Sequence, residues 1–231
     1  CARPPLCRSA LRARVLRRDQ ERRATLVRHV DLRQSRQGGP PPRTSQDALV
    51  LRRVEVVRTY LELHNPARAV TNDRAPAGAR LVSRDPCAVD DYRRLYRAVG
   101  EQWYWHDRLE WSDDQLAEHL ADPSVQVWEL EVDGASAGYF ELQQAEDGSV
   151  EIVYFGLVPS FMGRGLGRYL LDRAIDAAAK MQATRVWLHT CTLDSERALP
   201  NYKARGFTEF GTKRLEVDIE GSQVVGERLL D

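Results

Sequence analysis

Glu151-Ile-Val-Tyr-Phe-Gly-Leu-Val-Pro-Ser-Phe-Met-Gly-Arg-Gly-Leu-Gly-Arg-Tyr-Leu-Leu171 is the stretch on which the reading of this chain turns. It opens as a run rich in β-branched and aromatic residues, the composition of a strand, and that run stops at Pro159. A loop with glycines at 163, 165 and 167 follows and leads directly into a helix. A helix that begins this way presents several backbone N–H groups without intrahelical partners, at the positive end of its macrodipole. A phosphate fits that position. Gly163, Gly165 and Gly167 carry no side chain to hold an anion away, and Arg164 and Arg168 add positive charge. The dinucleotide fingerprint G-x-G-x-x-G fails, because its third glycine would fall at Arg168, and no Gly-Lys-Ser/Thr of a Walker loop follows. A plain glycine-rich turn or a pyrophosphate loop of another kind remains.

Upstream, residues 125–132 alternate as a strand, Asp133-Gly134 makes a hairpin turn, 137–143 return, and Glu146-Asp147-Gly148 turns into 150–158. Farther back, Ser112 can cap a helix reaching about Leu120, and 90–99 carry Tyr92, Leu95, Tyr96 and Val99 at helical spacing. Residues 79–84 read as a strand, and 54–63 could be a strand or a short helix. Downstream, a helix over 165–181 precedes a strand at 185–190, a shorter helix ending near Arg205 and a strand at 208–217. An antiparallel meander followed by strand, helix, strand, helix, strand is an α+β or mixed α/β arrangement.

The second informative run is Ser195-Glu-Arg-Ala198-Leu-Pro-Asn-Tyr202-Lys-Ala-Arg-Gly206-Phe207. Together the two runs resemble the GNAT superfamily of acetyl-coenzyme A-dependent N-acetyltransferases. Its signature is Gln/Arg-x-x-Gly-x-Gly/Ala at the start of the central helix and, later, Asn-x-x-Ala-x-x-x-Tyr-x-x-x-Gly-Phe. Gly165-Leu166-Gly167 supplies the glycine part, and Leu157 and Pro159 the strand end. Tyr154-Phe-Gly-Leu-Val-Pro159 and His189-Thr-Cys-Thr-Leu-Asp194 are similar to runs of a bacterial subgroup. Three positions depart: Met162 stands for Gln or Arg, Ser195 for Asn, and Pro200 falls within the last helix, which should be irregular or start late.

The resemblance implies a GNAT-like fold, in which a twisted, mixed but mostly antiparallel sheet of about six or seven strands is flanked by about four helices. Its fourth and fifth strands splay apart. Acetyl-coenzyme A would be the co-substrate, held along Leu157, Val158 and Pro159 and by Met162, Gly163, Arg164, Gly165, Leu166 and Gly167, with Arg168 and Ser195 beside it. The acetyl group would pass directly to a primary amine in a ternary complex. Tyr202 would be the general acid next to the coenzyme A sulfur. Glu151 matches a glutamate that serves some members as general base. A backbone N–H near Leu157, freed at a bulge, would polarise the acetyl carbonyl. No metal is called for. His189 is a second candidate for moving the proton, since an ordinary imidazole titrates at about pH 6.5. Plainer readings stand beside these: a core tyrosine, an exposed strand-end carboxylate and a packed histidine. Cys191 reads as structural, because nothing near it marks an activated thiol.

In this fold the connection between the first two helices walls the acceptor pocket. Here it holds Trp103, Tyr104, Trp105, His106, Asp107, Arg108 and Trp111. An apolar or cation-binding cavity lined by Trp103, Trp105 and Arg108, with Asp107 or Glu110 available to a charged amine, suits a small-molecule substrate. A hydrophobic plug is the alternative. Acetylation of protein lysines or N-termini, and a non-catalytic coenzyme A-binding regulator, are the other functions the motifs admit. Homodimers are common among similar proteins.

The net charge of zero hides an asymmetry: residues 1–47 carry 12 arginines against 4 acids, +8, and the remainder carries −8. An acidic body argues against a nucleic-acid surface and accommodates a cationic amine. The four cysteines, Cys1, Cys7, Cys87 and Cys191, form no C-x-x-C pair, so neither zinc nor a disulfide framework is suggested. No apolar run is long enough for a membrane helix and no signal-peptide pattern is visible, so a cytoplasmic chain without a membrane partner is expected. Residues 1–47, broken by Gly38-Gly-Pro-Pro-Pro42, are expected to be a disordered extension, with a transit peptide or a nucleic-acid-binding arm as alternatives. The acetyltransferase-like domain would then span 48–231.

Overall fold

A computed structural model describes residues 51–69, 74–221 and 223–230. The expected disordered extension over 1–47 lies outside the described residues. The β-branched runs become eight strands: β1 Leu51–His64, β2 Ala79–Ser83, β3 Val125–Val132, β4 Ala135–Gln144, β5 Val150–Leu157, β6 Arg185–Cys191, β7 Thr208–Glu220 and β8 Gln223–Leu230. They form one sheet in the order β2-β3-β4-β5-β6-β1-β7-β8. Every neighbouring pair is antiparallel except β5 and β6. The helices are α1 Val89–Gly100, α2 Asp113–Leu120, α3 Leu166–Lys180 and α4 Ala198–Lys203. The result is a mixed α+β fold with a mostly antiparallel sheet.

Each helix follows from its sequence. In α1, Tyr92, Leu95, Tyr96 and Val99 fall on one face and are buried. Ser112 caps α2 by accepting from the Gln115 N–H at 3.2 Å, and the Gln115 side chain returns a bond to the Ser112 N–H at 2.9 Å. In α3, Leu166, Leu170, Leu171, Ala174, Ile175 and Ala178 pack onto one face of the sheet, against Ile152, Val186 and Leu188. The opposite face of β3 to β5 is covered by α1 and α2, through Leu95, Tyr96, Val99, Leu116 and Tyr139. No helix among the described residues is long and apolar enough to cross a membrane.

The feature that positions the site is the parting of β5 from β6. They pair only at Val150 with Val186 and at Glu151 with Trp187. Beyond that, β5 stays with β4, whereas β6 runs beside β1 from Arg58–Cys191 to His64–Arg185. A bulge accompanies the parting: Leu142 faces Ile152 and Glu141 faces Tyr154, so Val153 is an extra residue that bends β5.

The 54–63 ambiguity resolves as a strand, and its location is not the one that chain order suggests. β1 sits between β6 and β7, on the edge of β6 opposite to β5, so the parting of β5 from β6 stays open. β8 exceeds the expected count of strands; it returns along β7 from a turn at Gly221, where φ is +60°. The helix carrying Pro200 does start late: α4 has only six residues, so the proline lies in its first turn, where no intrahelical N–H bond is lost.

Candidate active site

The opening between β5 and β6 has two walls and a floor of backbone. On β5, Phe155 and Leu157 pack toward α3, whereas Tyr154 and Val158 pack toward α1. The Val158 N–H donates to the Ala137 carbonyl at 2.9 Å. Strand alternation therefore turns the Leu157 N–H the other way, into the opening.

At the end of β5 the chain makes a short 3-10 turn, Pro159–Phe161, and enters the glycine loop. Gly163 and Gly165 have φ of +77° and +78°, and a Cβ at either would meet nothing within 4 Å. The glycines thus serve the left-handed backbone, which other residues adopt only under strain, and they leave the surface above the loop open. Gly165 is the N-cap of α3 and no side chain caps that end, so the first-turn N–H groups are left for another partner. Arg164 lies over the Phe161 ring at 5.1 Å. Met162 is exposed at 37%, and its N–H donates to the Pro159 carbonyl at 3.2 Å.

Tyr202 stands on the α3 side. Its ring packs edge-on to Phe155 and Phe207, at 6.0 and 6.1 Å, and the residue is buried. Burial and, after it, the nearby Asp194 carboxylate push the phenol well above its ordinary pKa, so it carries its proton at neutral pH. Two ties bracket it. Asn201 Nδ2 donates to the Gly167 carbonyl in the first turn of α3 at 3.3 Å, and Arg205 Nε meets the buried Asp172 carboxylate of α3 at 2.6 Å. Asp194 itself, raised by burial, accepts from Thr190 Oγ1 and the Cys191 N–H, both at 2.8 Å. Ser195 starts the turn into α4: its Oγ accepts from the Arg197 N–H at 3.3 Å and its carbonyl from the Ala198 N–H at 2.8 Å. Burial, then Asp194, pushes the Cys191 thiol up to about 11, which leaves it protonated and unreactive at neutral pH.

Glu151 and His189 occupy the opposite face. Val150, Ile152 and Leu188 belong to the α3 core, so Glu151 and His189, on alternate positions, point away from it. Glu151 sits at the last paired position before the strands part, and His189 two residues past that point, edge-on to Tyr60 at 5.8 Å. The connection after α1 crosses above them. Tyr104, at φ +60°, accepts from Arg52 of β1 at 3.1 Å and packs on the cluster of Val56, Leu215, Val217 and Ile219. Trp105 turns back onto β5, 5.0 Å from the Tyr154 ring. Trp103 is half-buried in the 3-10 turn Glu101–Trp103. The connection thus reaches both arms of the parted sheet.

A buried ionic cluster beneath this connection had no signature in the sequence. Arg108 Nη2 donates to Glu141 at 3.1 Å, His119 Nε2 lies 2.8 Å from the same carboxylate oxygen, and the Tyr92 hydroxyl bonds the other oxygen. Burial alone would raise the Glu141 carboxyl, but Arg108, His119 and Tyr92 outweigh it and bring it down to about 2. Arg108 is itself buried, with its guanidinium 4.0 Å over Trp111 and 5.2 Å from the Tyr154 ring. Tyr154 in turn donates to Asp107 at 3.4 Å. Among the described residues no group of three or more His, Cys, Asp or Glu side chains is arranged to hold a metal.

The profile of the Acetyltransferase (GNAT) family matches residues 90–207, half of the chain. The chain belongs to that family. An uncharacterised N-acetyltransferase of Mycobacterium tuberculosis is 31% identical to this GNAT protein over 121 residues, 52% of this chain and 77% of the relative. Another, from Lactobacillus delbrueckii subsp. lactis, is 30% identical over 106 residues, 43% of this chain and 61% of that protein. Among solved structures, a GCN5-related N-acetyltransferase from Kribbella flavida superposes with a TM-score of 0.52 at 18% identity, over 74% of this chain and 60% of that one, a likeness of fold. This chain therefore spans three fifths of the Kribbella protein's length. The family match begins inside α1 and ends before β7, so β1, β7 and β8 complete the second arm of the sheet from outside it.

Proposed function

We propose that this GNAT protein transfers the acetyl group of acetyl-coenzyme A to the primary amine of a small molecule, directly and within a ternary complex. The observation that carries the reading is the parted sheet: one opening has the uncapped glycine turn at its end, Tyr202 against one face, and Glu151 and His189 on the other. The residues present fit the cofactor. Positive-φ glycines at 163 and 165 leave open space beside N–H groups that a diphosphate can take up. Leu157 faces the opening with its backbone, and Val158 and Pro159 lie beside the path that the rest of the molecule would take.

Bound acetyl-coenzyme A supplies an activated thioester carbonyl. The chain's own part begins with the Leu157 N–H, placed to donate to the oxygen on which negative charge grows. Tyr202, held protonated, donates its hydroxyl hydrogen toward the departing sulfur. An alkyl amine enters as ammonium, and removing its proton at pH 7 takes about 4.6 kcal/mol. Glu151 and His189 are the groups on the acceptor face that can take it up. The acceptor is a small molecule because the connection over residues 101–111 straddles the opening, with Tyr104 on one arm and Trp105 on the other. An open groove for a polypeptide would need that span clear. Asp107, Glu110 and the aromatic side chains along it suit a cationic amine.

Calorimetric titration with acetyl-coenzyme A, followed by assay of free thiol with a panel of amines, tests the reading. Binding with thiol release for a small amine supports it. Absence of heat removes it, and binding without thiol release across a broad panel replaces it with a non-catalytic coenzyme A-binding role.

A further inference from the structure

Two glycines on different elements make room for Trp105, and one of them for Val99 as well. A Cβ on Gly156 would fall 2.5 Å from Val99 Cγ1 and 3.8 Å from Trp105 Cη2. A Cβ on Gly100 would fall 2.4 Å from Trp105 Cε3. Neither glycine has a positive φ, so what each provides is close approach. The Trp105 N–H donates to the Gly100 carbonyl at 3.2 Å, and its indole is held among Tyr96, Tyr139 and Tyr154 at 5.6, 6.3 and 5.0 Å. Val99 is fully buried. Both side chains are therefore pressed onto β5 at the residue that immediately precedes Leu157, whose N–H points into the opening.

We infer that Val99 and Trp105 form a ceiling that limits the acyl group of the donor to two carbons. The inference rests on the functional reading above. A thioester whose carbonyl oxygen meets the Leu157 N–H must seat its alkyl end beside β5. Toward α3 the side chains of Phe155 and Leu157 already fill the core. Toward α1, Gly156 offers no side chain, and Val99 and Trp105 close over its backbone and take the room a Cβ would need. An acetyl methyl needs little depth there; each further methylene has to displace a buried valine or an indole locked by three tyrosines. Overpacking a rigid wall of this kind is unfavourable.

The test is calorimetric binding of coenzyme A and its acetyl, propionyl and butyryl thioesters, without amine, to the unaltered protein, to Val99→Ala and to Trp105→Ala. Unaltered protein is expected to bind butyryl-coenzyme A at least about tenfold more weakly than the acetyl form, and both substitutions to narrow that ratio to about threefold or less. Affinity for unacylated coenzyme A reports whether each variant is folded. If Trp105→Ala loses it, Val99→Ala, which removes only two methyl groups, carries the test alone. Unaltered protein that binds all three thioesters alike, or a folded Val99→Ala that keeps the original ratio, overturns the ceiling and leaves the acetyltransferase reading standing. Unaltered protein that binds no form of coenzyme A removes both.

Discussion

Replacing Glu141 by Gln should be among the most damaging single changes outside the opening, and its cost can be worked in two ways. Glu141 is 0% exposed and meets Arg108 at 3.1 Å, His119 at 2.8 Å and the Tyr92 hydroxyl. Its carboxyl is brought from the ordinary 4.5 to about 2, a drop worth on the order of 3 kcal/mol. Independently, breaking a buried ion pair by removing one partner costs about 3–5 kcal/mol, because the other charge stays buried without its counter-ion. A domain is stable by only about 5–15 kcal/mol, so Glu141→Gln should lower Tm by roughly 6–20 °C. The sign with pH follows from the depressed value. The contribution is fully present above pH 4.5 and is lost as pH falls toward 2. Urea denaturation followed by tryptophan fluorescence at pH 7, 5 and 3 should therefore show a gap of about 3 kcal/mol between unaltered protein and variant that closes in acid. Pairing Glu141→Leu with Arg108→Met should cost less than Glu141→Gln alone, since no charge is then stranded. A gap under about 1 kcal/mol at pH 7, or one that persists unchanged at pH 3, refutes the account.

Two further outcomes bear on the chemistry. Tyr202→Phe should slow acetyl transfer about 100-fold while leaving calorimetric affinity for acetyl-coenzyme A within about twofold; an unaffected rate would remove the acid role. Gly165→Ala places a side chain at φ +78° on the N-cap of α3 and should weaken coenzyme A binding by about tenfold, whereas Gly134→Ala, at φ +80° in the β3–β4 hairpin, should lower Tm without touching affinity. Equal affinities for the two variants would dissociate the glycine turn from the diphosphate.

Local features were the legible ones. The Ser112 cap, the Tyr92, Leu95, Tyr96 and Val99 stripe, and the strand-to-glycine-loop passage at 150–167 are each written within a short run of sequence, where short-range sterics and hydrogen bonding decide them. The position of β1 was not legible, because it depends on pairing with β6 and β7, two strands that come late in the chain. Residues 51–64 read equally well beside several partners until both of those strands are in place. β8 was missed for a related reason: an edge strand with Gly226 in its interior carries a weak pattern, and its pairing with β7 supplies what its own sequence lacks.

The acceptor side shows why charge in particular resisted a linear reading. Glu141 lies on β4, whose residues 137–142 are buried on both faces, so no alternation marks it as inward. Its partner Arg108 belongs to an irregular connection with no period at all. Read along the chain, Arg108 is a lining residue of the acceptor pocket, beside Trp103 and Trp105. In the fold its guanidinium is spent on Glu141 and stacked between Trp111 and Tyr154. The guanidinium charge is therefore neutralised inside the fold, which only the packing of β4 beneath the connection could show.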